Sequence, residues 1–242
     1  MIYDFDTVTS TNDVLQEMAE QGVPEGTAVI ARHQTAGRGR MGRSFYSPAD
    51  TGMYLSILLR PAMPPQDVLS ITPMAAVAVA DAVKEVTGID AGIKWVNDLF
   101  YHGRKFCGIL AQSKSAEDGT SLAYVLLGIG INLSAPQNGF PSDLQEIAGA
   151  LYDTASPVTP EMLAHAVHAH VMDEYTHLHE KHYLKPYRER LCMLGKPILV
   201  AEQDVVREAV ALEVDDDLRL LVRYENGETA WRSTGEIRIR TK

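Results

Sequence analysis

Only two cysteines, Cys107 and Cys192, occur in 242 residues, too few for a disulfide framework. No apolar run reaches membrane-spanning length, and Met1-Ile2-Tyr3-Asp4 does not open a signal peptide. Positive charge is scarce: the formal net charge is −10, which argues against a general nucleic-acid footprint. Internal repeats and low-complexity tracts are missing too. These absences leave a soluble, cytoplasmic protein with reduced thiols as the default expectation, with no membrane partner. The length suits one large domain, or a large one followed by a small one, and a hydrophobic content of 45% supplies a sizeable core.

Against that acidic background one stretch stands out. His33 to Pro48 reads HQTAGRGRMGRSFYSP, with Gly37, Gly39 and Gly42 alternating with Arg38, Arg40 and Arg43. Glycine lets backbone turn tightly and approach a ligand closely. Arginine supplies planar, permanently charged donors for phosphate and carboxylate. Together they read as an anion cradle, or else as a flexible basic loop of the RNA-touching kind. The flanks favour the cradle: Thr27–Ala31 and Met53–Leu59 are β-branched or apolar strand candidates, so the loop hangs from a scaffold.

The rest of the chain supplies that scaffold. Ile2–Val8 reads as a strand, followed by a helix through Val14, Leu15 and Met18 that ends at Gly22, with Ser10 or Thr11 as N-cap. Ser10-Thr11-Asn12 fits capping alone or capping combined with a polar ligand at the free N–H groups. Ser70–Val86 predicts an Ala- and Val-rich helix with Pro73 in its first turn and Gly88 beyond its end. Ile93-Lys94-Trp95 predicts a short strand, Asn97-Asp98 a turn, and Leu99–Tyr101 with Phe106–Ala111 a hairpin. Lys105, at the entry of a buried strand, reads as a solvated edge lysine unless its context is special. Leu122–Leu133 is a nearly continuous apolar strand whose Gly128 and Gly130 mark a bulge or a close ligand approach, and Asn132 is polar at its end. Pro141–Tyr152 predicts a short helix. Pro160–Leu191 predicts a long one with a break at Pro186, carrying six of the eight histidines, which scatter around it as surface groups, so no metal site is expected. From Gly195 on, short strands at Pro197–Val200, Val205–Val214, Leu218–Tyr224 and Glu236–Ile239 suggest a small barrel.

Taken together, these stretches resemble the biotin protein ligases. Ser10-Thr11-Asn12 is similar to that family's STN element, and Gln34 with Gly37–Arg43 to its GRGRxGR signature. Lys94–Asp98 is similar to KWPND, Lys105–Leu110 to KxxGIL, and Gly128–Asn132 to GIGxN. Order and spacing agree over residues 1 to about 134. Two positions depart from the pattern: Val96 stands where proline is usual, and Phe45 where tryptophan is common.

The resemblance implies an α+β fold with a mixed β-sheet and helices, like the class II aminoacyl-tRNA synthetases, over residues 1–192, and an SH3-like β-barrel over 193–242. It implies two steps. Biotin attacks the α-phosphate of ATP, giving biotinyl-5′-AMP and pyrophosphate, with Mg²⁺ covering the leaving group. A lysine of the biotin carboxyl-carrier protein domain of a carboxylase then takes the biotinyl group and releases AMP. It implies catalytic roles for Lys105 and Arg40. Biotin would be bound by Ser10, Thr11, Asn12, Gln34, Gly37, Arg38, Gly39, Arg40, Lys105, Gly108, Leu110, Gly128 and Ile131. The nucleotide would meet Arg38, Arg40, Arg43, Phe45, Lys105 and Asn132. Only nine residues precede Ser10, so no DNA-binding head and no DNA partner are expected, while a homodimer formed through strands stays open. The alternative within the same fold is a lipoate or octanoate ligase or transferase. A Gly/Arg RNA-binding module is the third reading.

Overall fold

The computed structural model describes residues 1–202, 205–233 and 236–239. Its first sheet takes strands β1 (Ile2–Val8), β2 (Ala28–Gln34), β3 (Gly52–Leu59), β4 (Gly92–Lys94), β5 (Asp98–Tyr101), β6 (Arg104–Ser115) and β7 (Leu122–Asn132) in the order β1-β2-β3-β7-β6-β5-β4. Only β1 and β2 pair in parallel; the remaining neighbours are antiparallel, so the sheet is mixed as expected. Both faces of its centre are covered, which is why β3 and β7 read as apolar runs rather than alternating ones.

Two helices, α2 (Ile71–Thr87) and α3 (Pro160–Thr176), pack against each other and on one face. Leu55, Ile57, Leu127, Ile129 and Ile131 point into that main core. The first helix, α1 (Thr11–Glu20), covers part of the other face, where Leu15 and Ala19 meet Val29, Leu58, Tyr124 and Leu126. Full burial of a side chain such as Leu15 or Leu58 stabilises the fold by about 1.5–3 kcal/mol. Beyond the N-terminus of α1 this face is left open, and the side chains of even-numbered β3 and β7 residues point into the opening by the two-residue period.

Three expectations need correction. Pro65–Thr87 is long and apolar enough, by length and composition, to cross a membrane, but 61% of its apolar window is buried inside the fold. No helix forms over 141–152. That segment is extended and turn-rich because its backbone is used elsewhere: Lys105 N donates to Ile147 O, Gly149 N to Lys105 O, and Tyr152 N to Leu133 O. The long helix breaks after Thr176, not at Pro186. A 3-10 turn, Leu178–Glu180, and Lys181 in the left-handed region (φ 54°) separate α3 from α4 (Leu184–Glu189). Pro186 sits in the first turn of α4, where its missing N–H costs no hydrogen bond.

Cys192 N still donates to Ile93 O, whereas Gly195 N donates to Ala211 O, so the chain passes between these residues from one sheet to the other. The second sheet is antiparallel, in the order β11-β10-β9-β8-β12, from β8 (Pro197–Glu202), β9 (Val205–Val214), β10 (Leu220–Tyr224), β11 (Thr229–Arg232) and β12 (Glu236–Ile239). It is consistent with the small SH3-like module. β11 was not expected. The unit is docked by specific contacts: Trp95 Nε1 donates to Leu218 O (2.9 Å), Arg188 Nε to Val214 O (2.8 Å), and Arg188 pairs with Asp216 (2.6 Å).

Candidate functional site

A cavity of about 150 Å³ opens on the face that α1 leaves bare. One end of it is a neutral hydrogen-bond network. Ser10 caps α1 by accepting from Asn12 N (3.3 Å), which turns Thr11 and Asn12 toward the sheet. The Gln34 side-chain oxygen accepts from Thr11 N (2.8 Å) and Thr11 Oγ1 (3.1 Å), and its amide donates to Ser47 Oγ (3.0 Å). Ser56, wholly buried on β3, donates to Thr11 Oγ1 (2.7 Å) and also contacts Asn12 Oδ1. Asn12 Nδ2 donates to Gln112 (2.6 Å). A buried polar set of this kind is rigid because every lost partner leaves a desolvated group behind.

The glycines of β6 and β7 serve protein side chains first. A Cβ on Gly128 would lie 2.7 Å from Asn12 Oδ1, and one on Gly130 would lie 2.5 Å from the Phe45 ring. Gly108 faces Gly130 across the sheet, with the Phe45 ring and the end of Lys105 both 3.2 Å from its missing Cβ. Phe45 therefore lies in a slot between two strands, with Tyr54 edge-on at 6.4 Å.

Beyond Phe45 the site is charged. Asp98 is 10% exposed and holds Lys105 Nζ at 2.7 Å and Lys94 Nζ at 3.1 Å. Burial alone would raise its pKa, but the Lys105 and Lys94 ammoniums more than offset that and hold the carboxyl below the usual carboxylate range. Two cations on one anion leave this corner positive. The arginine loop forms the lid, pinned by a Gly39 N to Arg43 O bond (2.7 Å) and a Phe45 N to Gly37 O bond (2.9 Å). Arg40 Nη1 crosses to Asn97 Oδ1 on the opposite wall (2.8 Å), while Asn97 Nδ2 donates to Ile109 O (2.9 Å). Arg38 pairs with Asp13 at 2.5 Å.

Of the expected residues, Ser10, Thr11, Asn12, Gln34, Arg38, Gly39, Arg40, Arg43, Phe45, Lys105, Gly108, Leu110 and Gly128 line the cavity. Gly37, Ile131 and Asn132 do not. Gly37 is packed inside the loop, where a Cβ would meet Phe45 O at 2.5 Å. Ile131 points into the main core on the opposite face, as strand alternation from Gly130 requires. Asn132 donates its amide to Gly149 O (2.9 Å). The sequence reading passed over Lys94, Trp95, Asn97 and Asp98 as site residues, and Ile237, which reaches the cavity from β12. It also gave no role to Ser56 or Gln112. Lys94 and Asp98 were within reach, since both sit in a quoted motif with opposite charges four apart; Ile237 carries no local signal.

Residues 5–132 match the Biotin/lipoate A/B protein ligase family. The chain is 42% identical over 150 residues to the Bacillus subtilis "Bifunctional ligase/repressor BirA", covering 62% of this chain and 46% of that relative, so it spans less than half of that protein's length. It is 31% identical over 242 residues to the Mycobacterium tuberculosis "Biotin--[acetyl-CoA-carboxylase] ligase", covering 94% of this chain and 85% of the relative. Among solved structures, a biotin protein ligase from Aquifex aeolicus in complex with biotin and ATP superposes with a TM-score of 0.80 at 24% identity, covering 100% of this chain and 99% of that one. That last likeness speaks for the fold.

Proposed function

The chain belongs to the biotin/lipoate A/B protein ligase family, and from that premise we propose that it attaches biotin to a lysine of a carrier domain in two ATP-dependent steps. The observation that carries this reading is the polarity of one cavity. Neutral donors and acceptors (Thr11, Gln34, Asn12) lie on one side of Phe45, and Lys105 and Lys94 on the other. A biotin molecule has that polarity: a neutral ureido ring, an apolar bicycle and a carboxylate tail.

In the first step a carboxylate oxygen bonds to the α-phosphorus of ATP and the bond to pyrophosphate breaks. Two anions must meet, so the barrier is lowered by fixed positive charge. Lys105 stands where carboxylate and α-phosphate come together, and Arg38, Arg40 and Arg43 offset the phosphate charge. In the second step the carrier amine bonds to the acyl carbon and AMP leaves. Asp98 is a poor base for that amine, because both lysines hold it ionised. Its role is to keep Lys105 and Lys94 aimed at the reacting atoms. Leu110 and the Phe45 ring face the apolar part of the substrate.

Mg²⁺ was expected with ATP. Among the described residues Asp98 is the only carboxylate in the cavity lining, and two ammoniums occupy it. This donor set does not fit a protein-held Mg²⁺ site, which needs free oxygens, so no step is assigned to a protein-bound ion here. The carrier is the biotin carboxyl-carrier domain of a biotin-dependent carboxylase. The purified chain is incubated with biotin, ATP and such a domain, and the carrier mass is measured. A gain of one biotinyl group is expected, and lipoate in place of biotin should give none. A gain with lipoate alone would favour the lipoate reading.

A further inference from the structure

Six histidines lie between positions 165 and 182, and the fold gives them different surroundings. His168 Nε2 lies 2.8 Å from Gly26 O, and His170 pairs with Glu85 at 2.7 Å. His177 and His182 meet each other. The chain leaves α3 at His177, passes through the 3-10 turn, and reverses at Lys181, whose φ of 54° is left-handed. The reversal stacks the two imidazoles with centroids 6.0 Å apart and planes 22° apart. Glu180 sits between them, one carboxylate oxygen 3.1 Å from His177 Nδ1 and the other 3.1 Å from His182 Nε2. One ligand atom from each of the three residues lies within 4.8 Å of the others.

Two nitrogens and one oxygen at that spacing are a donor set for first-row divalent ions of the zinc type, with water filling the open position. The field around it also suits a cation. Asp173 and Glu174 add negative charge beside the Glu180 carboxylate at His177. A bound ion would take over the contacts that Glu180 now shares between the two rings.

We propose that His177, Glu180 and His182 form a site for one divalent ion of the zinc class at the joint between α3 and α4. The position gives the ion a consequence. Just beyond the joint, α4 carries Tyr187, whose hydroxyl donates to Val96 O (3.2 Å), and Arg188, which holds Val214 O. Fixing the joint fixes the helix that ties the second sheet to the Trp95-Val96 segment. The site is independent of the proposed biotin chemistry, since none of its residues lines the cavity.

The test uses the full chain, freed of metal and without nucleotide. Zn²⁺ binding is read by competition with a chromophoric chelator, and Co²⁺ by its visible absorption. One equivalent is expected, unaffected by millimolar Mg²⁺, which prefers oxygen ligands. His177→Ala and His182→Ala should each weaken Zn²⁺ binding roughly tenfold or more, while His168→Ala should leave it unchanged. Glu180→Gln, a substitution at an exposed position that keeps the side-chain shape, should weaken it without disturbing the circular dichroism spectrum. Absence of any bound ion overturns the proposal. So does an ion retained at full strength when both His177 and His182 are alanine, as ligation by Cys192 would give.

Discussion

The two halves of the cavity are built in opposite ways. The neutral half is carried by α1, β2, β3 and β6, and its Ser10, Thr11, Asn12 and Ser56 are all nearly or wholly buried. The charged lid is a loop held by its own turns and by two side-chain bridges, Arg38 to Asp13 and Arg40 to Asn97, with Met41 at its tip 77% exposed and in the left-handed region. The first half is set before any ligand arrives, so it selects. The second has few packing contacts to hold it, so the contacts of a ligand contribute a larger share of its order. For the proposed reaction, selection and retention then fall to different parts of one site.

The largest expected effect comes from the charged half. Lys105→Ala should lower the rate of biotinyl-AMP formation on the order of 10²–10³-fold, measured as pyrophosphate release, with biotin affinity reduced far less. An equal loss in both quantities would show that Lys105 belongs to the selecting half. Next, Arg40→Gly removes the bridge to Asn97. The adenylate should still form but dissociate roughly one to two decades faster, read by trapping released biotinyl-AMP and by labelling of bystander amines. Equal release rates would mean that the lid closes through another residue. Ser56→Ala deletes a buried hydroxyl outside the cavity lining, and should raise the KM for biotin by roughly five- to tenfold, about 1 kcal/mol, with kcat preserved. A fall in kcat with unchanged KM would break the division of labour. The smallest effect in the working range is that of pH. Asp98 has a lowered pKa, so the stability its ion pairs contribute is fully present above the ordinary aspartate value of about 3.9 and is lost as pH falls through the folded value. Thermal melts of wild type and Asp98→Asn should therefore differ by a constant amount from pH 5 to 8 and converge only in stronger acid.

The same contrast governs what could be read from the sequence. Regular elements announce themselves by period, and β1, α1, α2 and β7 lie within a residue or two of their expected bounds. Ser10 as a cap and Lys105 at a strand entry were visible because each has a local reason. The contacts that make Lys105 more than an edge lysine were not visible, since Asp98, which also holds Lys94, reaches it only through a sheet register. Ile131 shows a signal that was available and not applied: if Gly128 and Gly130 face the cavity, the residue after them must face away. The break at Thr176 was masked because proline is the stronger local punctuation, yet Pro186 occupies one of the few helical positions that tolerate it. Ser56 looks like any polar residue in a strand, and nothing short of the folded network gives it a meaning.

The wall contributed by Ile237 bears on the order in which the protein is made. Lys105 and the arginine loop leave the ribosome early, and their sheet has all its strands once β7 has emerged. The cavity has to wait for β12, which pairs with β8 and carries Ile237 to its edge. A nascent chain stalled before that point would hold the cations and the neutral network with one side open to water, where an activated acyl phosphate would escape to the nearest amine. For the proposed reaction, the wall that shields the intermediate is therefore complete only on a chain translated through β12.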